Sequence, residues 1–297
     1  MAKLNSSETK IIDQIAAWKA ESPSFINRAT EFVSRPISWL TDKLTPEDIK
    51  ASIGGMTEKV VEKLQDISKW TVDPQEVLNE TKEFEIEAKS IADLKKASIH
   101  DLDHIAEKFI TTNTRMATIS GAGTGLVGWP GLIADLPALF TIGMRSICHI
   151  SLTYGFDPKG EHQTPEDQAF ETEYMMRVFK IATASDKIQK QRGLSELKDF
   201  ETGRYHKVGG ELAGDFTTKQ VSKSATFNIS QRIIREIVEQ TISKKAAALV
   251  PGLGAIFSAG FNYVYLQDVG ETAFMLYRER FLLDKQGRRK VISVEIE

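Results

Sequence analysis

The chain has 297 residues, 41% hydrophobic and 27% charged, enough to bury a full-sized core and close to the upper limit for a single one. A formal net charge of −3, with basic residues scattered among acidic ones, leaves no electrostatic footprint for nucleic acid. The one cysteine, Cys148, excludes a disulfide framework and fits a reducing compartment.

Helix signals recur along the chain and strand signals hardly occur, so the expected fold class is all-α, a multi-helix bundle. Ile11, Ile12, Ile15, Ala16 and Trp18 make a first amphipathic helix. Ser22 caps a second with Pro23 at its first position, and Phe25, Ile26, Ala29, Phe32, Val33, Ile37 and Leu40 follow at helical spacing across Pro36. Thr45-Pro46 and Asp73-Pro74 are two more starts of the same kind. They open helices carrying Ile49, Ile53, Val60, Leu64 and Ile67, then Val77, Leu78, Phe84 and Ile91. A fifth helix begins near Ser98, with Ile99, Leu102, Ile105, Phe109 and Ile110 on one side.

The stretch Ile119 to Met144, ISGAGTGLVGWPGLIADLPALFTIGM, has Asp135 as its only charged side chain. Gly121, Gly123, Gly125 and Gly128 give it weak helix propensity, and Trp129-Pro130 restricts the backbone before the proline. The expectation is a Gly-rich turn running into a helix that starts near Pro130 and kinks at Pro137. After it, Tyr154-Gly155 closes the helix and Thr164-Pro165 opens another that runs to about Ala184. Lys187 to Lys223 mixes charged helix-formers with glycines and reads as part helix, part loop. Ile229 to Lys244 reads as helix and leads into a second uncharged stretch, Ala246 to Leu266, which repeats the small residues and the Pro-Gly-Leu of the first. A last helix spans about Ser258 to Leu283, and the tail from Asp284 alternates Val291, Ile292, Val294 and Ile296 too briefly to assign. The two uncharged stretches are expected to pack together as the buried centre.

No catalytic motif stands out. Gly123 to Gly128 matches GxGxxG, yet a helical pattern precedes it, Trp-Pro follows, and no acidic residue lies at the ribose-binding distance, so the glycines read as backbone geometry. His100 and His104 lie one helical turn apart as weak metal candidates, and the plainer reading is a solvated first turn. Cys148 and His149 are adjacent and point to different sides of a helix, which is no nucleophile–base pair. There is no GxSxG, Walker lysine or zinc CxxC, and no cofactor is implied. The structural and functional candidates are the four glycines together with Asp135, Arg145, Asn262, Asp268 and Glu271. These polar groups interrupt apolar surfaces, where a buried charge needs a partner, and Arg145 is expected to pair with Asp268 or Asp135.

The run GAGTGLVGWPGLIADLPALFTIGMRSICHISLTYGFD, followed by PGLGAIFSAGFNYVYLQDVGETAFMLYRERFL, resembles the EcsC family of bacterial proteins. The resemblance covers about Ile37 to Leu283 and leaves residues 1–36 as an N-terminal amphipathic extension and 284–297 as a polar tail. It implies a mostly helical domain with no established activity and no catalytic residues to carry over. The family's namesake is encoded beside ABC-transporter components, which implies a link to membrane export.

Two functional classes remain open. One is a non-enzymatic accessory protein on a membrane surface or a membrane-protein partner, and the other is a helical protein with an apolar cavity for a lipid-like ligand. The expected location is cytoplasmic, with the inner face of the cell membrane as the peripheral alternative, since MAKLNSSETK lacks the apolar run of a signal peptide. The N-terminal helices supply a candidate anchor, with Arg28, Arg35 and Lys43 beside an apolar face.

Overall fold

The computed structural model describes residues 4–23, 58, 72–124, 136–160, 163–209, 232–241 and 254–287, of which 117–124, 204–209 and 254–259 are described as backbone only. Among them every regular element is helical. The all-α expectation holds.

Helix α1, Ser6–Ala20, starts at a capping box: Asn5 Oδ1 accepts the Glu8 N–H at 2.9 Å, and Glu8 Oε2 accepts the Asn5 N–H at 3.0 Å. Its buried face is Ile11, Ile15 and Trp18, as the spacing predicts. Helix α2, Pro74–Thr81, starts at Asp73, whose carboxylate accepts the Gln75 N–H at 2.9 Å. The pattern predicts one helix onward to Ile91, but the chain stops short. Glu85 takes a left-handed φ of 55°, the Ile86 N–H reaches back to the Thr81 carbonyl at 3.2 Å, and the Glu85 N–H to Lys82 at 3.3 Å. This is a Schellman stop with glutamate where glycine usually stands, so no residue type announces it. Ile91 then belongs to a separate 3-10 turn, Ile91–Lys96, and is buried there beside Leu94.

Helix α3, Ile99–Thr124, runs through Gly121 and Gly123, so the Gly-rich turn expected from Gly121 does not begin there. Neighbouring turns hold the backbone helical against the weak propensity of two glycines. Gly125, Gly128, Pro130 and Asp135 lie outside the described residues, as do the second N-terminal helix, the helix expected after Thr45 and the tail beyond 287. Helix α4, Leu136–Thr153, carries Pro137 in its first described turn. It ends as expected at Gly155, whose φ of +83° suits glycine and whose N–H donates to Leu152 at 2.9 Å.

Helix α5, Pro165–Ala182, opens on the Thr164 cap, with Thr164 Oγ1 accepting the Asp167 N–H at 3.1 Å. Helix α6 is Lys187–Gly209, α7 covers residues 232–241, and α8 is Gly254–Lys285. The long α8 forms the axis of the bundle. It runs antiparallel to α3, because Gly270 faces Ile110 while Arg278 bonds Asp103 further along. A Cβ on Gly270 would sit 2.8 Å from Ile110 Cγ2, so the close approach of these two helices requires glycine.

The described parts of the two uncharged stretches pack together. Phe140 of the first meets Tyr265 of the second edge-on at a centroid distance of 6.4 Å, and Phe179 of α5 closes the cluster at 5.5 Å and 6.2 Å. Gly143 faces Phe179 and Leu266 in the same layer. Edge-to-face aromatic packing adds to what burial alone contributes.

Helix α1 lies along this core. Lys190 Nζ of α6 donates to the Trp18 carbonyl at 2.6 Å and sits over the Trp18 ring at 4.0 Å. Lys19 pairs with Glu279 at 2.5 Å, Lys285 with Glu8 at 2.5 Å, and Ser7 Oγ lies 2.7 Å from His100 Nε2. Its apolar face is therefore occupied by the protein's own core. The N-terminal anchor expected from the sequence has lost α1, and the second helix, around Phe25 to Leu40, lies outside the described residues.

Candidate functional site

The α3–α8 pair has a charged end and an uncharged one. Past Arg115, α3 carries no charge as far as Thr124, and α8 carries none before Asp268. Because the helices are antiparallel, these two charge-free ends lie side by side; extending the register from Ile110–Gly270 to Met116 arrives at Tyr263 and Val264. Three large hydrophobic residues are exposed among the described ones: Met116 at 55%, Tyr263 at 47% and Ile188 at 73%. Two of the three stand at this end. Arg115, exposed on the preceding position, is a cation beside it.

Below that end lies a polar cluster that sequence reasoning missed. His149 of α4 is buried, stacks on Phe109 at 4.3 Å, and has Nε2 3.2 Å from Glu76 Oε2 and Nδ1 3.2 Å from Asn113 Nδ2. Burial holds the His149 pKa below its ordinary value, against the pull of Glu76. Arg145 Nη2 lies 3.8 Å from the other oxygen of Glu76. The sequence does not suggest Glu76 as a partner; of the two expected ones, Asp135 lies outside the described residues.

Asn262 and Asp268 are buried on α8, and Glu271 is half-buried one turn on. Asp268 and Glu271 act on Lys190. Burial lowers the Lys190 pKa, while Glu21, Glu271 and Asp268 work to keep it charged. Gly121 and Gly123 lie within α3. His100 faces Ser7, and His104 is stacked parallel to Phe84 at 6.2 Å with Glu107 at 3.9 Å. Among the described residues no three metal-ligating side chains come together. Cys148 is buried, and burial pushes its thiol up to about 12, which suits a small core residue rather than a nucleophile.

Two buried ion pairs also escaped the sequence reading. Arg280 donates through Nη1 and Nη2 to the two oxygens of Glu171, each at 2.5 Å, with the Phe156 ring 3.9 Å and the Tyr174 ring 4.4 Å from the guanidinium. Burial works against that charge, and Glu171 more than offsets it, so the Arg280 pKa rises. Asp103 accepts from Arg278 Nη2 at 2.8 Å and from the Tyr154 hydroxyl at 2.6 Å, and burial raises the pKa of its carboxyl. The available signal was the run FMLYRERFLL, where two arginines interrupt an apolar surface as Asp268 does. These pairs join α3 and α5 to α8, with Tyr154 just past the end of α4, and all four charged residues are buried.

The model of the EcsC protein family matches residues 9–282, reaching into α1 and so wider than the span read from the sequence. The uncharacterized protein YdbA of Bacillus subtilis (strain 168) is 29% identical over 262 residues, 86% of each chain. Protein EcsC of the same strain is 28% identical over 195 residues, 66% of this chain and 70% of the relative. No solved structure matches the chain. With the family match running nearly end to end over the same helices that build the core, the chain belongs to the EcsC protein family.

Proposed function

We propose that the protein is a non-enzymatic accessory protein that attaches reversibly to a membrane surface through the uncharged end of α3 and α8. The observation that carries this reading is the exposure of Met116 and Tyr263 on the charge-free ends of the antiparallel helices α3 and α8, with Arg115 on the position before Met116. No helix among the described residues is long and apolar enough to cross a membrane, and the contact in this reading is interfacial. Burying each large side chain contributes about 1.5–3 kcal/mol, and a cation near anionic headgroups adds roughly 1 kcal/mol. Such a sum gives weak binding that depends on lipid concentration.

Flotation with vesicles containing an anionic phospholipid tests it. The parent protein rises with the vesicles, and the double variant Met116→Glu, Tyr263→Glu stays behind, with partitioning lower by about a hundred-fold for a loss of roughly 3 kcal/mol. Ile188→Glu, on the exposed start of α6, floats like the parent. Equal flotation of parent and double variant overturns the assignment of this end. No flotation by the parent overturns membrane attachment altogether.

A further inference from the structure

Asn113 settles the protonation state of His149. Its Nδ2 donates to the Phe109 carbonyl at 2.8 Å, which fixes the nitrogen end of the amide, because the reverse orientation sets oxygen against oxygen. The same Nδ2 lies 3.2 Å from His149 Nδ1, so Nδ1 accepts and carries no proton. The proton sits on Nε2 and is donated to Glu76 Oε2 at 3.2 Å. Helices α2, α3 and α4 thus meet at one neutral imidazole.

We propose that His149 is a proton-responsive joint, whose protonation undoes the present Asn113 hydrogen bonding between α3 and α4 while keeping Glu76 of α2 in place. A proton on Nδ1 turns the acceptor into a donor facing a donor. Asn113 must then turn its oxygen to the ring or swing away, and either movement gives up its bond to Phe109. The charged groups facing the ring are Glu76 from α2 and Arg145 from the preceding turn of α4; α3 contributes the neutral Asn113 and Phe109. Burial disfavours the imidazolium and prevails over Glu76, so the folded chain holds this proton less readily than the unfolded one. The stability that the neutral joint contributes is therefore complete above the unfolded value of about 6.5. It is lost as pH falls from there toward the lower folded pKa, by up to about ten-fold in the folding equilibrium per pH unit.

The test is NMR of the His149 ring nitrogens in the full chain, titrated from neutral into acid pH. The expected result is an Nε2–H tautomer at neutral pH, a midpoint below the ordinary histidine value of about 6.5, and movement of the Asn113 side-chain amide signal with the same midpoint. In parallel, His149→Gln should flatten the acid-side fall in stability. Asn113→Asp, which sets a carboxylate opposite Nδ1, should raise the midpoint. An Nδ1–H tautomer, a midpoint at or above the ordinary histidine value of about 6.5, or an acid-side slope unchanged in His149→Gln overturns the proposal. If Asn113→Asp does not fold, the titration of the parent protein decides alone.

Discussion

Arg280→Met lowers the stability of the fold by about 3–5 kcal/mol, the usual cost of removing one partner from a buried ion pair. The methionine fills most of the space, so the loss comes from charge rather than volume. Glu171, 5% exposed, is left with two oxygens that had each accepted a guanidinium N–H at 2.5 Å, inside a shell of Phe156, Phe170, Tyr174 and Tyr277. Water does not reach it to compensate. Removing both charges should cost far less than removing one, so Arg280→Met combined with Glu171→Leu regains most of the loss. Chemical denaturation of the two single variants and the double variant checks this. A double variant no more stable than Arg280→Met would mean that the guanidinium contributes chiefly by its packing on the aromatic rings.

Phe140→Ala is the second large effect, about 3–5 kcal/mol, the range found for deleting a buried phenylalanine. The ring is fully buried between Phe179 and Tyr265, where the two uncharged stretches meet, and the neighbouring Gly143 leaves no side chain to collapse into the space. Phe140→Leu, which keeps much of the volume, should lose less than half as much. Thermal unfolding of both variants measures the difference. Equal small losses would show that α4 and α8 do not rely on this cluster.

The helical fold was legible because its signals are local. Asp73 and Thr164 cap helices where the sequence places caps, and Gly155 ends α4 in the conformation glycine favours. Ile11, Ile15 and Trp18 announce the buried face of α1 by spacing alone. The stop after α2 was not legible, since Glu85 adopts a left-handed φ through hydrogen bonds its residue type does not signal. The same limit hid the polar interior. His149, Glu76 and Asn113 are separated by 36 and 73 residues, and only the crossing of three helices makes them one cluster. Arg145 and Asp268 were recognisable as charges needing partners, but pattern alone does not say which partner the fold supplies. The N-terminal helix shows the reverse case. Its amphipathic face suits a membrane or a core equally well by sequence, and the bonds from Lys190, Glu279 and Lys285 decide for the core.

Which surface meets the bilayer is read most directly by hydrogen exchange of the full chain with and without anionic vesicles. Membrane contact at the uncharged end predicts slower exchange in the last turns of α3, beyond Arg115, and in the first turns of α8, up to about Tyr263, with α1 and α6 unchanged. Slower exchange confined to α1, or no change anywhere under conditions where the protein co-floats with the vesicles, would contradict attachment through Met116 and Tyr263.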